Sequence, residues 1–189
     1  TKTYPTVIEG IENPIQVSRG KNHNLVLDKN GDVWCWGSNT NNPMGTLGGK
    51  VEKASKMTGI SNVKQIAAGT EFSIFIKNDG TLWGVGKNDK GQIGQGNTDD
   101  YLTPTQITAM KTFKKVSAGE SFVVALAEDG LYSWGANTDG QIGNGTTDDE
   151  YIPVKLNAEL ENGGWQKNFP GGRGGRRRLR QDLPDAGNQ

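Results

Sequence analysis

The stretch that decides the fold is Glu128-Asp-Gly-Leu-Tyr-Ser-Trp-Gly-Ala-Asn-Thr-Asp-Gly-Gln-Ile-Gly-Asn-Gly145, because related text occurs three times in the chain. It reads as a tight turn, a short aromatic strand and a glycine-rich loop. A close copy is Asn78-Asp-Gly-Thr-Leu-Trp-Gly-Val-Gly-Lys-Asn-Asp-Lys-Gly-Gln-Ile-Gly-Gln-Gly96, and a more divergent copy is Lys29-Asn-Gly-Asp-Val-Trp-Cys-Trp-Gly-Ser-Asn39. Self-similarity at a fixed spacing is the signature of a repeat protein.

The repeat spacing is the same at independent landmarks. The turn glycines Gly31, Gly80 and Gly130 lie 49 and 50 residues apart. Two further sets share this spacing, with Ala54 where a proline would fall: Gly20, Gly69 and Gly119; and Pro5, Pro104 and Pro153. One module of about 50 residues is therefore present three times.

Each module is predicted to contain four short strands. An Asn-Gly or Asp-Gly pair between the second and third strands is the strongest short hairpin signal, because both central residues can adopt positive φ. In the second and third modules the fourth strand contains a proline, at Thr103-Pro-Thr-Gln-Ile107 and Ile152-Pro-Val-Lys-Leu156, which places this strand at a sheet edge. Alternating apolar residues of the second strand are predicted to face the core: Leu25 and Leu27; Phe72, Ile74 and Ile76; and Phe122, Val124 and Leu126.

The composition agrees with many turns between short strands. The chain has 28 glycines among 189 residues, and only 32% of its residues are hydrophobic. No apolar run approaches the ~20 residues of a membrane helix. The single cysteine, Cys35, excludes an internal disulfide. Because the chain does not begin with Met, the sequence leaves open whether a leader precedes it.

The balanced charge hides an asymmetry. The chain has 21 basic and 21 acidic residues, but five arginines fall within its last twenty residues. The repeat body is therefore slightly acidic and lacks the basic field expected of a nucleic-acid-binding surface. Only the arginine tail offers a candidate contact with nucleic acid, and a solvated or non-native tail is the favoured interpretation.

No residue pattern predicts a catalytic, cofactor-binding or metal-binding site. His23 is the only histidine and has no partner set for zinc, and Cys35 is best explained as a buried strand residue. The run Asp28-Lys-Asn-Gly-Asp32 fits a hairpin turn better than a calcium loop, because its glycine is misplaced and no Glu closes the loop. The glycine-rich loops lack phosphate-binding spacing.

The motifs resemble the RCC1 (regulator of chromosome condensation) repeat. They are Gly-x-x-His at 20–23, Asp-Gly-x-x-x-Trp-Gly at 129–135 and Gly-Gln-Ile-Gly-x-Gly at 91–96 and 140–145. The resemblance covers three repeats, at about 5–53, 54–103 and 104–156. It implies an all-β, incomplete β-propeller with about three four-stranded blades of an expected seven. It also implies that His23 is structural and packs where blades meet.

Residues 157–189 change in character. Gly164-Trp-Gln-Lys167 fits the start of a fourth repeat, and a Gly/Arg-rich text follows in which no repeat landmark returns. The alternatives for residues 168–189 are a shifted reading frame or truncated gene model, a genuine Arg/Gly tail, and an artefact of expression. Composition predicts disorder over residues 170–189.

The leading functional hypothesis is a non-enzymatic protein-protein interaction module of secreted, cell-surface or phage type. The form Trp83-Gly-Val-Gly86 is similar to bacterial and phage members of the family. Loops on a rigid scaffold favour binding, and Tyr101 and Tyr151 are predicted as exposed aromatic anchors. The predicted partner-binding residues are Asn88, Asp89, Lys90, Asp99, Asp100, Tyr101, Thr138, Asp139, Asp148, Asp149 and Tyr151.

Two alternatives stay open. Eukaryotic members of the family promote nucleotide exchange on a Ran-like GTPase and bind chromatin, which would make the chain a regulator of an enzyme. The chain could instead be a structural virion or cell-surface component that neighbouring subunits complete. Open propeller edges would also permit self-association. The sequence favours an extracellular, surface or virion location and leaves the cytoplasm and nucleus open.

Overall fold

The computed structural model describes residues 4, 7–46, 48–109 and 111–156. Within these residues every regular element is a β-strand, and no helix has the length and hydropathy needed to cross a membrane. The predictions made for residues 157–189, including the fourth-repeat start and the Arg/Gly tail, lie outside the described residues.

The strands form three antiparallel sheets of four strands each, and each sheet is one blade. Consecutive strands are neighbours within every blade. The first blade contains β1 (Pro14–Arg19), β2 (His23–Asp28), β3 (Val33–Ser38) and β4 (Lys50–Lys56). The second contains β5 (Val63–Ala68), β6 (Phe72–Lys77), β7 (Leu82–Gly86) and β8 (Tyr101–Gln106). The third contains β9 (Phe113–Ala118), β10 (Phe122–Ala127), β11 (Gly130–Gly135) and β12 (Glu150–Leu156).

This architecture confirms the predicted fold class, an incomplete all-β propeller. The proline strands also lie where they were predicted. Pro104 is on β8 and Pro153 is on β12, and both strands occupy sheet edges. An edge position tolerates proline because no ladder hydrogen bond is needed on the open side.

The hairpin turns differ from the predicted geometry. In the first blade, Gly31 has a φ of 80°, but Asn30 is not among the described non-glycine residues with positive φ. Gly31 N–H donates to Asp28 O, and Asp28 N–H donates to Asp32 O. This is a three-residue loop with one left-handed glycine, which is the next most common hairpin after the two-residue form. The Asp28 carboxylate makes the longer loop favourable, because its Oδ1 accepts from Asn30 N at 2.8 Å and Asp32 N at 3.0 Å.

The core lies between the blades. One apolar cluster joins the first two blades and includes Leu25 and Leu27 of β2 with Phe75 of β6. A second cluster joins the second and third blades and includes Phe72, Ile74 and Ile76 of β6. The predicted core-facing residues of the first two repeats are therefore confirmed. We call the face of each blade that meets the following blade its back face, and the opposite side its front face.

The prediction for the second strand of the third repeat was wrong. Val123, Ala125 and Ala127 of β10 are buried against the second blade, whereas Leu126 is 42% exposed. Phe122, Val124 and Leu126 alternate with the buried residues and so lie on the back face of the third blade. A blade that packs against neighbours on both sides is apolar on both faces. Alternation along the strand therefore does not show which face meets the preceding blade.

Glutamine side chains join consecutive blades along their first strands. Gln16 Nε2 donates to Ile66 O at 2.9 Å, and Gln16 Oε1 accepts from Ile66 N at 3.0 Å. Gln65 bonds to Val116 in the same way, at 3.5 and 3.1 Å. Each carboxamide therefore satisfies a backbone N–H and C=O of the next blade, as an additional strand would.

Candidate partner-binding surface

The predicted binding residues lie around the two connections between third and fourth strands that we call the second loop (residues 87–100) and the third loop (residues 136–149). Both are rich in glycine with positive φ. The corresponding first loop spans residues 39–49 and contains one residue, Leu47, that the structure does not describe. The geometry of the second and third loops decides which side chains a partner could reach.

A buried asparagine holds each loop in shape. Asn88 Oδ1 accepts from Ile93 N at 2.8 Å, and its Nδ2 donates to Asn97 O at 3.0 Å. In the third loop, Asn137 bonds in the same way to Ile142 N at 2.9 Å and to Thr146 O at 3.0 Å. Both asparagines are 0% exposed. Their amides replace the regular ladder that a glycine-rich segment cannot form.

The prediction of Asn88 as a partner contact was therefore wrong. Its amide is fully buried and hydrogen-bonded inside the loop. Sequence reasoning treated a polar residue in a glycine-rich segment as solvated. The overlooked signal was the spacing of Asn39, Asn88 and Asn137, which follows the repeat. Asn39 is also buried, and its Oδ1 accepts from Met44 N at 2.9 Å.

Two of the predicted aspartates close the loops. Asp100 Oδ1 accepts from Asn88 N at 2.7 Å, and Asp149 Oδ1 accepts from Asn137 N at 2.8 Å. The Asp149 carboxylate also forms an ion pair with Lys90 Nζ at 3.1 Å, and this pair links the second loop to the third blade. Both carboxylates therefore form bonds within the molecule, although Asp100 remains exposed to solvent.

The two tyrosines differ in accessibility. Tyr101 is only partly exposed, and its hydroxyl accepts from Asn97 Nδ2 at 2.9 Å, so it is not the exposed anchor that was predicted. Tyr151 is 43% exposed. Its ring covers Gly91, where an added Cβ would lie 2.4 Å from Tyr151 Cδ1. Tyr151 therefore presents one ring surface to solvent from a fixed position.

Besides Asp100, which closes the second loop, six of the predicted residues are exposed: Asp89, Asp99, Thr138, Asp139, Asp148 and Tyr151. We call this set the loop surface. The Lys90–Asp149 ion pair and the packing of Tyr151 on Gly91 hold the second and third loops together. The arrangement is a mainly acidic, hydrogen-bonded surface with one aromatic ring, which suits recognition by shape and charge.

Among the described residues, the candidate metal ligands are dispersed and the single thiol is buried. The described residues contain no group of three or more His, Cys, Asp or Glu that could hold a metal ion. Burial raises the pKa of the Cys35 thiol to about 12, so it is protonated and unreactive near neutral pH. Burial lowers the pKa of His23 to about 4. His23 and Cys35 are both buried in strands rather than placed in an open cleft.

Successive four-stranded blades joined through apolar faces define a repeat protein of the β-propeller class. The family model described as the regulator of chromosome condensation (RCC1) repeat matches residues 30–76, 79–126 and 128–169. A second model with the same description matches residues 15–42, 63–92 and 113–141. The chain belongs to the RCC1 repeat family.

Solved structures support the same assignment. Yeast RCC1 (Prp20) bound to Kap60 is 27% identical with a TM-score of 0.70, and the alignment covers 79% of this chain and 38% of that chain. The structure of Prp20p from Saccharomyces cerevisiae, a protein characterised for its binding to Gsp1p and histones, gives 27% identity, a TM-score of 0.70 and coverages of 79% and 40%. Human WBSCR16 shares the fold at 22% identity and a TM-score of 0.69, with coverages of 77% and 40%.

The chain spans about two fifths of each of these structures. A search of curated proteins finds no significant match. The shared propeller repeats support a protein-interaction module as the general function.

Proposed function

We propose that this chain is a non-enzymatic module that binds a protein partner through the loop surface. The observation that carries the proposal is the construction of the loops. Buried asparagines and two aspartates that accept backbone N–H groups fix the backbone, while the six side chains of the loop surface stay exposed on it. A surface that is ordered before binding loses little conformational entropy on association, so its contacts translate more fully into affinity.

The charge of the loop surface indicates the chemistry of the partner. Four of its exposed residues are aspartates, and its neighbouring lysines are engaged, with Lys87 paired to Asp89 at 3.1 Å and Lys90 paired to Asp149 at 3.1 Å. A complementary partner would present basic groups around a pocket for an aromatic ring. Tyr151 is the residue that we expect to carry the largest single contribution.

A matched pair of variants tests this proposal in the full chain. Asp99→Lys with Asp139→Lys reverses two charges on the loop surface. Glu12→Lys with Glu128→Lys reverses two exposed charges at the opposite, hairpin-turn end of the strands. Proteins that the full chain captures from extracts of cell-surface proteins would be purified. Their direct binding to the unmodified chain and to each variant would be measured by interferometry.

The loop-surface variant should weaken direct binding by roughly tenfold or more, equivalent to about 1.4 kcal/mol, because opposite charges become like charges. The hairpin-end variant should bind like the unmodified chain. Equal affinities for both variants would refute the proposal. So would binding that only removal of residues 168–189 abolishes.

A second candidate is an exchange regulator of a Ran-like GTPase. It is favoured by the 27% identity to yeast RCC1 (Prp20p), which was characterised for its binding to Gsp1p and histones. Release of a fluorescent guanine nucleotide from a Ran-like GTPase, with and without the full chain, tests it directly. Acceleration would support this candidate, and an unchanged release rate would exclude it.

The proposed biological setting is that of secreted, surface or phage-type members. The feature that supports it is the form Trp83-Gly-Val-Gly86, which is similar to bacterial and phage members of the family. Antibody labelling of intact cells or virions would test the setting, and labelling only after permeabilisation would contradict it.

A further inference from the structure

We propose that the junction between the first and second blades is an acid-sensitive latch, which opens when the buried His23 gains a second proton. The junction between the second and third blades has no such group and stays closed. This property does not depend on the proposed binding function.

A short polar relay crosses the first junction. His23, at the start of β2, is 2% exposed, and its Nε2 lies 3.2 Å from Ser73 Oγ on β6. Ser73 is 0% exposed, and its hydroxyl donates to Pro43 O at 2.7 Å. The relay therefore connects a strand of the first blade, a strand of the second blade and the first loop.

The relay fixes the tautomer of His23. A serine hydroxyl has one hydrogen, and that of Ser73 is directed at Pro43 O. Its oxygen must then accept from His23, so His23 Nε2 carries the ring proton and Nδ1 carries the lone pair. A second proton would enter at Nδ1, on the side of the ring that packs on Gly20, where an added Cβ would lie 2.5 Å from Nδ1.

The surroundings of the ring oppose that second proton. Among the described hydrogen bonds and ion pairs, none brings a carboxylate to the imidazole. Burial is the cause that lowers the pKa of His23 to about 4. The ionisable side chains on the elements packed around the ring are Arg19, Lys21, Asp28, Cys35, Lys64, Glu71 and Lys77. Glu71 is occupied elsewhere, because it accepts from Asn41 Nδ2 at 3.0 Å.

The second junction supplies an internal comparison. Phe72 occupies the position of His23 in the second blade, and Val123 occupies the position of Ser73 in the third. Both are 0% exposed and belong to the same apolar cluster. Neither side chain has a site for a proton, so the buried contacts at these equivalent positions should respond differently to acid.

Two other contacts across the first junction contain no titratable side chain. Ser18 Oγ accepts from Ala68 N at 3.0 Å, and Lys21 N donates to Thr70 O at 3.2 Å. The second junction has a comparable backbone bond from Thr70 N to Glu120 O at 3.1 Å. The buried titratable group that distinguishes the two junctions is therefore His23, bonded to Ser73.

The sign of the effect follows from linkage. The pKa of His23 is lower in the folded chain, so the unfolded chain binds the proton more readily. The stabilisation is complete above pH 6.5 and is lost as the pH falls towards 4. With a folded pKa of about 4 against 6.5, the folding equilibrium constant should fall about 150-fold between pH 8 and pH 4 from this group alone.

The test compares the full chain with a variant that carries the second junction's chemistry, His23→Phe with Ser73→Val. Because His23 is the only histidine, its imidazole NMR signal reports the titration without ambiguity. Stability would be measured by denaturant unfolding from pH 8 to pH 4. Hydrogen exchange would compare β2 and β6 with β9 and β10. A second variant, His23→Gln, keeps a donor towards Ser73 but does not titrate.

We expect the His23 signal to titrate near pH 4 in the folded chain, with protection lost first in β2. Between pH 8 and pH 4, the folding equilibrium constant of each variant should fall less than that of the unmodified chain. The difference should be about 150-fold, which is the contribution of His23. A folded-state titration near 6.5 would overturn the proposal. So would equal loss of protection at both junctions, or the same pH dependence in the chain and in every variant that folds.

Discussion

The clearest test of the blade packing is a pair of equivalent truncations, Ile76→Ala and Leu126→Ala. Ile76 pairs with Leu82, and Leu126 pairs with Leu131, so both residues precede the hairpin turn at the same position of their blades. Ile76 is 0% exposed because the third blade covers it, whereas Leu126 is 42% exposed on the back face of the third blade. Their equivalent positions in the repeat suggest equal burial, but in the structure the two side chains differ in exposure.

The expected losses of unfolding free energy for the two truncations follow from the burial of each side chain. Truncation of a fully buried isoleucine costs about 2–5 kcal/mol, because the lost transfer energy is joined by a cavity term. Truncation of Leu126 removes three carbons worth about 0.8 kcal/mol each when buried. Since Leu126 is 42% exposed and leaves no closed cavity, its cost should be about 1 kcal/mol.

Denaturant unfolding of the full chain, followed by tryptophan fluorescence, measures both values. The midpoint of Ile76→Ala should fall by about two to five times as much as that of Leu126→Ala, with unchanged m-values. Equal losses for the two variants would refute the assignment of Leu126 to an uncovered face. Burial of Ile76 in the cluster between the second and third blades would then not make its truncation more costly than that of Leu126.

Two further predictions concern contacts between blades. Gln16→Ala should cost about 1 kcal/mol, because it removes two hydrogen bonds to Ile66; faster hydrogen exchange at the Ile66 amide would show it, and unchanged exchange would contradict it. Gly91→Ala should destabilise the chain more than Gly140→Ala, although their φ values are 69° and 72°, because only Gly91 lies under Tyr151. Thermal unfolding of the two glycine variants measures the difference, and equal shifts would mean that Tyr151 does not clamp the second loop.

Much of the fold could be predicted because its signals are local. The turn glycine Gly31 and the edge proline Pro104 each act through their own backbone geometry, and repetition made the glycine signal readable three times and the edge proline twice. The turn type was less predictable. Asp28 accepts from two backbone N–H groups of the turn, and this stabilises a longer loop than the Asn-Gly pair alone indicates.

The candidate site was harder to predict because polarity does not report exposure. Asn88 and Asp99 lie in the same glycine-rich loop, yet Asn88 is fully buried and Asp99 is exposed. A loop without regular structure must satisfy its backbone groups with side chains, and these are drawn from the same residue types that bind partners. Repetition separates the roles in part, since a loop-forming asparagine recurs at the period of the module.

Repetition also hides the differences that determine how the molecule behaves. In a repeat protein, stability is approximately a sum of terms for each module and for each junction between neighbours. The modules here share one architecture, but His23 and Ser73 meet at one junction where Phe72 and Val123 meet at the next. A hydrogen-bonded imidazole and an apolar pair respond differently to pH, so the junction that opens first is set by the junction residues rather than by the fold. In this chain the order of local unfolding is therefore encoded at positions where the repeats disagree.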